Sequence, residues 1–192
     1  MTRLQRDDTE ERYRNAIDPL WARPETILTP RFALAPLRRP EFEAYLYAYD
    51  EFQRAWRLPE PSAPLLYYER RALQALYLKG LAYDAASYVW GTLWLVLDRA
   101  SGVETARLFY KGAPRLRAVE VAYSVRRAAR NSGVMTETLR AACEWLRARD
   151  DADVMLAETT VKNAASQRVL EKVGFQRARA TKAYLLWRWT AR

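Results

Sequence analysis

Few side chains in this sequence could do chemistry. There is no histidine, and the single cysteine, Cys143, sits ten residues into an apolar-striped helical segment, the place of a buried structural thiol. The usual zinc sites and the Ser–His or Cys–His nucleophile systems therefore have no material, and one cysteine closes no intramolecular disulfide. Chemistry falls to carboxylates, hydroxyls, backbone amides and a bound cofactor. Glu120 stands in "RAVEVAYSV", where Val119, Val121, Tyr123 and Val125 alternate with Glu120, Ala122 and Ser124. A carboxylate on the less apolar face of such a strand could accept a proton, or simply form a salt bridge. A second place is "RNSGVMTETL", Arg130 to Leu139, a polar stretch with one glycine that runs into a helical stripe of Met135, Leu139, Ala142 and Leu146. Unpaired N–H groups and the positive end of the macrodipole make such a helix start an anion site. A third is "NAASQRVLEKVG", with Asn163 at an N-cap position and Gly174 as the stop.

Around these residues the chain reads as a mixed α/β domain over residues 25–192, preceded by a charged extension over residues 1–24 with one candidate helix near Asp8 to Ala16. "ETILTPRFALAPL" is expected to be an edge strand, marked by Pro30 and Pro36. Phe42, Tyr45, Leu46, Tyr49, Phe52 and Trp56 recur at threes and fours, which predicts one amphipathic helix, and a second follows from about Leu65 to Lys79. Two β-rich runs flank the turn signal "DRASG", and the run from Tyr88 to Leu97 reads as a buried strand, so Trp90 and Trp94 are placed on strands, as are Trp187 and Trp189. Strands at Ala118–Val125 and Val154–Thr160, a helix at Val134–Arg149, the "NAASQRVLEKVG" helix and two closing strands complete the order β-α-α-β-β-β-α-β-α-β-β.

The longest apolar run is far short of the roughly 20 residues that span a bilayer. The first 18 residues are charged throughout and lack the apolar core of a secretory signal, so a cytoplasmic protein with no membrane partner is expected. The net charge of +9 suits an anionic partner. The absence of any stacking or groove-reading motif argues against nucleic acid.

The segment "VEVAYSVRRAARNSGVMTETLRAACEWLRAR…VMLAETTVKNAASQRVLEKVGF" resembles the GNAT N-acetyltransferases of the RimJ/RimL-like branch. That branch carries a Val-Glu-Ile-Gly-Tyr strand, an Arg-x-x-Gly-x-Gly/Ala loop and an Asn-x-x-Ser-x-x-Val/Leu-x-x-x-Gly-Phe helix. The resemblance covers about residues 26–190 and is strongest from Val119 to Phe175. It implies a mixed sheet of six to seven strands with about four flanking helices, in which two central parallel strands splay apart around acetyl-CoA. It also implies direct acetyl transfer to a primary amine: a protein N-terminus, a polyamine or a small molecule. Cofactor contacts would come from Val121, Tyr123, Arg130, Asn131, Ser132, Gly133, Val134, Met135 and Asn163, with Glu120 as base and Ser166 as acid. Arg126 and Arg127 do not match the motif; Arg130 does. The chain departs from the pattern at Asn131 for glycine, at Met135 for a small residue, at Ala122 for glycine, and at Leu170 where many relatives carry an acidic tyrosine. Asn131 must enter left-handed backbone, and Met135 must point into the sheet, for the cradle to be intact. A homodimer is compatible with this reading, and the alternative is a non-catalytic GNAT-fold binding module.

Overall fold

Pro30 divides the first β-rich segment, and the two pieces pair with each other. The computed structural model describes residues 23–58, 65 and 67–191, so the helix expected near Asp8 to Ala16 lies outside the described residues. The strands are β1 (Ile27–Leu28), β2 (Phe32–Pro36), β3 (Leu93–Asp98), β4 (Glu104–Tyr110), β5 (Ala118–Val125), β6 (Val154–Thr160), β7 (Gln176–Ala180) and β8 (Tyr184–Thr190). They form one eight-stranded sheet in the order β1-β2-β3-β4-β5-β6-β8-β7. The expectation of six to seven strands was short because "ETILTPRFALAPL" forms two strands around a turn closed by Thr29 N–H donating to the Phe32 carbonyl at 2.8 Å. β1 is therefore the edge strand, and β2 pairs on both sides. Pro36 is tolerated because β1 reaches only Ala33 and Leu34 of its neighbour, which leaves no partner for the missing N–H.

Five α-helices are described: α1 (Arg39–Tyr47), α2 (Tyr49–Ala55), α3 (Tyr67–Gly80), α4 (Val134–Arg147) and α5 (Ala164–Val173). The amphipathic segment expected as one helix is broken at Ala48, whose φ of −139° and ψ of 52° leave the helical region. Its periodicity survives the break because both pieces face one core: Tyr45 of α1 and Phe52 of α2 meet edge-on with ring centroids 5.1 Å apart. Asp50 and Glu51 fall in the first turn of α2, where a new N-terminus favours acids. The run from Tyr88 also departs from a strand, since Tyr88–Trp90 is a 3₁₀ turn that places Trp90 before β3.

The two sheet faces carry two cores. Trp94, Val96, Leu108, Val119, Val121, Met155 and Trp187 pack beneath α4 and α5, whereas Leu93, Leu95 and Leu97 alternate to the other face and pack with α1, α2 and α3. β3 is buried on both sides and so reads as a continuous apolar run, "LWLVL". β5 alternates because its Val/Tyr face packs on the core, with Val119 and Val121 buried and Tyr123 and Val125 partly buried. Among the described residues no helix is long and apolar enough to cross a membrane.

β5 and β6 are parallel neighbours at the centre of the sheet. Their register runs from Ala118–Val154 only to Val121–Ala157. Beyond that point β5 continues to Val125 against β4, and β6 continues to Thr160 against β8. Each strand stays with its outer neighbour and leaves the other, so the sheet opens between them.

Candidate functional site

The opening between β5 and β6 leads from Val121 and Ala157 to the loop that starts α4. Arg127–Ala129 makes a 3₁₀ turn after β5, and Arg130 follows in extended backbone. Asn131 then adopts φ 63° and Gly133 φ 81°, two left-handed positions flanking Ser132. The Ser132 hydroxyl donates to the Ala129 carbonyl at 2.7 Å and holds the bend. Gly133 is the N-cap of α4, and the N–H groups of Val134, Met135 and Thr136 lie in its first turn, where a helix offers them no carbonyl.

Met135 settles whether this cradle is open. It is 3% exposed and belongs to the core beneath α4 with Leu139, Ala142 and Leu146, as does Val134. The long side chain fills the sheet side of the helix and does not enter the mouth of the loop. Asn131, Ser132 and Gly133 are exposed at that mouth. Arg130 is exposed, its Nε only 3.4 Å from the Val125 carbonyl. Arg126 is engaged elsewhere. Its Nη2 stands 2.6 Å from Glu104 Oε2, in a buried cluster with Arg107 on the α1–α3 side.

Alternation along β5 sorts the remaining groups. Val119 and Val121 lie in the core under α4 and α5 with Tyr123 packed beside them, which turns Glu120, Ala122 and Ser124 toward α1–α3. Glu120 is about one-third exposed and pairs through Oε1 with Lys111 Nζ. Lys111 N–H also donates to the Glu120 carbonyl at 2.8 Å, fixing the pair at the start of the opening. The Tyr123 hydroxyl is sealed from solvent without a formed hydrogen bond. Burial pushes it up to about 12, against the opposing pull of the Ser166 hydroxyl that faces it from α5. Asn163 caps α5, its side-chain oxygen accepting from Ser166 N–H at 3.1 Å. Capping accounts for that oxygen, and Asn163 is exposed as a residue. Cys143 is buried, and burial pushes its thiol up to about 12, so it is no nucleophile. Tyr45 is wholly in the α1–α3 core, while Tyr49 and Trp56 are partly buried against it.

The structure thus gathers Val121, Tyr123, Arg130, Asn131, Ser132, Gly133, Asn163 and Ser166 along one opening, with Glu120 on the face toward α1–α3. Lys111, Arg31 and Glu137 join this site without having been foreseen. Glu137 is held by Thr29 Oγ1 at 2.7 Å and by Arg31 Nε at 2.8 Å. Partial burial pushes its carboxyl up, but the Thr29 hydroxyl, the Arg31 amide and the Arg31 guanidinium outweigh this and hold it below the usual range. Nothing local in the sequence marks these pairs, since Arg31 and Glu137 are 106 residues apart.

A family model described as an acetyltransferase (GNAT) domain matches residues 31–176. Among solved structures, the ribosomal-protein-S5-alanine acetyltransferase of Vibrio fischeri is similar with a TM-score of 0.61 at 13% identity, over 86% of this chain and 96% of that one. An acetyltransferase of Salmonella typhimurium that modifies the N-terminal serine of a 50S ribosomal-subunit protein gives 0.61 at 16%, over 86% and 99%. RimJ of Mycobacterium smegmatis, solved with CoA-disulfide, gives 0.55 at 19%, over 83% and 82%. At these identities the likeness speaks for the fold. A search of curated proteins gives no match.

Proposed function

Because this chain belongs to the GNAT acetyltransferase family, we propose that it transfers an acetyl group from acetyl-CoA directly to a primary amine, with a protein N-terminus as the favoured acceptor class. The observation that carries this reading is the divergence of β5 from β6 after Val121 and Ala157, which leads to a loop with two left-handed residues and an open helix start. Backbone groups of Ala122–Val125 on the β6 side have no strand to pair with, and a ligand chain bearing amides can take a strand's place there. The N–H groups from Asn131 to Met135 would hold the diphosphate. The acceptor preference is supported by the similar structures that act on ribosomal-protein N-termini.

Acetyl-CoA supplies an activated acyl thioester. Glu120 takes the proton of the incoming amine, directly or through water, from the α1–α3 side. A backbone N–H of the Val121–Tyr123 segment stabilises the charge that develops on the carbonyl oxygen. Ser166, or water beside it, protonates the departing sulfur, and the buried Tyr123 hydroxyl, kept neutral by burial, lies beside Ser166. Direct transfer needs no enzyme nucleophile, in keeping with a buried Cys143.

Titration calorimetry and thermal melting with acetyl-CoA test the reading. Saturable heat is expected, with stabilisation of about 2.7 kcal/mol at 100 times the dissociation constant. Absence of both heat and shift would overturn it.

A further inference from the structure

Resting on the acetyl-CoA reading, we infer that Arg31, on the turn between β1 and β2, is a diphosphate contact of the cofactor. The turn carries Arg31 across to a loop 101 residues further on, where Nη1 donates to the Ser132 carbonyl at 2.9 Å. Nε donates to Glu137 Oε2 at 2.8 Å, and the Arg31 backbone N–H donates to Oε1 at 3.0 Å. These bonds fix the guanidinium plane. Nη2 is left over: it donates to no acceptor among the described residues. It lies 3.3 Å from where a Cβ on Gly133 would stand, and so directly over the N-cap of α4.

Electrostatics gives this placement a purpose. Glu137 puts a negative charge one turn into the helix whose start must receive a dianionic diphosphate. Unneutralised, it would oppose the macrodipole. Arg31 cancels that charge and still presents one edge of its fork outward, a geometry suited to phosphate oxygens. The side chain is about half exposed and, with Gly133, borders a cavity of about 840 Å³ that runs between the β1–β2 turn and the side of α4 at Thr136, Arg140 and Trp145.

A purely structural clasp and a ligand contact predict different mutational patterns. The full-length protein and its Arg31→Ala, Arg31→Lys and Glu137→Gln variants would be titrated with acetyl-CoA, and turnover compared between acetyl-CoA and S-acetylpantetheine, which has the thioester but no diphosphate. Arg31→Ala is expected to raise the dissociation constant for acetyl-CoA about tenfold or more, while S-acetylpantetheine turnover stays at the wild-type rate. Arg31→Lys recovers part of the loss, and Glu137→Gln, which keeps an acceptor oxygen for Arg31 but removes the charge, weakens acetyl-CoA binding less than Arg31→Ala does. Equal weakening by Arg31→Ala and Glu137→Gln, or a parallel fall in S-acetylpantetheine turnover, would reduce Arg31 to a structural clasp and overturn the inference. So would unchanged affinity in Arg31→Ala. Failure of the wild-type protein to bind acetyl-CoA would instead remove the parent reading.

Discussion

The Glu120 carboxylate has one observed partner and one proposed role. Lys111 holds Oε1 on the face toward α1–α3, and the proposed reaction needs the same group to meet an amine arriving from that side. A general base contributes about 10²- to 10⁴-fold, so Glu120→Gln is expected to lower kcat by that range while acetyl-CoA affinity measured by calorimetry stays unchanged. In the proposed reaction Lys111 would compete with a cationic acceptor for this carboxylate, so Lys111→Met is expected to lower the acceptor KM several-fold. Loss of acetyl-CoA affinity in Glu120→Gln, or a raised acceptor KM in Lys111→Met, would contradict these roles. The strand's alternation already placed Glu120 opposite the Val/Tyr stripe, and helical spacing already put Met135 with Leu139 and Leu146. Neither periodicity could reveal Lys111, because alternation reports which face a residue takes and says nothing of what stands across from it.

Among the elements, the hairpin joining β4 to β5 holds unusual backbone. Arg115 and Ala118 exchange N–H···O bonds of 2.9 Å each, closing a two-residue turn. Its central residues, Leu116 and Arg117, have φ of 48° and 62°, positions where hairpins ordinarily use Asn or Gly. Arg117 is anchored: Nε donates to Asp153 Oδ2 at 2.8 Å, Nη1 to the Asp150 carbonyl at 2.6 Å, and its own carbonyl accepts from Asp153 and Val154. These bonds bring the start of β6 beside β5 and set the Ala118–Val154 register. Leu116 is fully exposed and makes no such contacts. Leu116→Gly is therefore expected to stabilise the fold by about 1 kcal/mol. Arg117→Gly, with the same backbone relief, should destabilise because the side-chain bonds to Asp153 and Asp150 go. Urea denaturation with an unchanged m-value checks both, and a destabilised Leu116→Gly would refute the strain account. The turn was not legible in advance because "PRLRA" lacks the residues that such turns prefer. The break at Ala48 was hidden for a different reason, since two short helices on one core preserve the periodicity of a single long one.

At the scale of the whole molecule, Glu137 ties the β1–β2 turn to α4 and the loop before it, and the tie is strongest while its carboxylate is ionised. That carboxyl is depressed in the folded state, so its contribution is complete above the ordinary glutamate range and is lost as pH falls through the lower folded value. The stability difference between wild type and Glu137→Gln is thus expected to be constant near neutrality and to vanish in acid, as followed by denaturant midpoints across pH. A difference that persists unchanged below that range would show that ionisation is not the source. The sequence by itself determined the alternation of β5, where α4 begins and where α5 begins and ends, while α4 stops at Arg147, two residues short of the expected Arg149. It also identified Asn131 as the non-glycine residue able to turn left-handed beside Gly133, and the lack of any histidine for nucleophile relay. All of these follow from composition and from local backbone and side-chain preferences within a few residues. Only the tertiary structure decided that β5 and β6 part after Val121 and Ala157, that Arg31 lies over Gly133 against Glu137, and that Lys111 holds Glu120. Each of those depends on the packing of elements distant in the chain, where pairing is set by which surfaces the sheet and its two cores bring together.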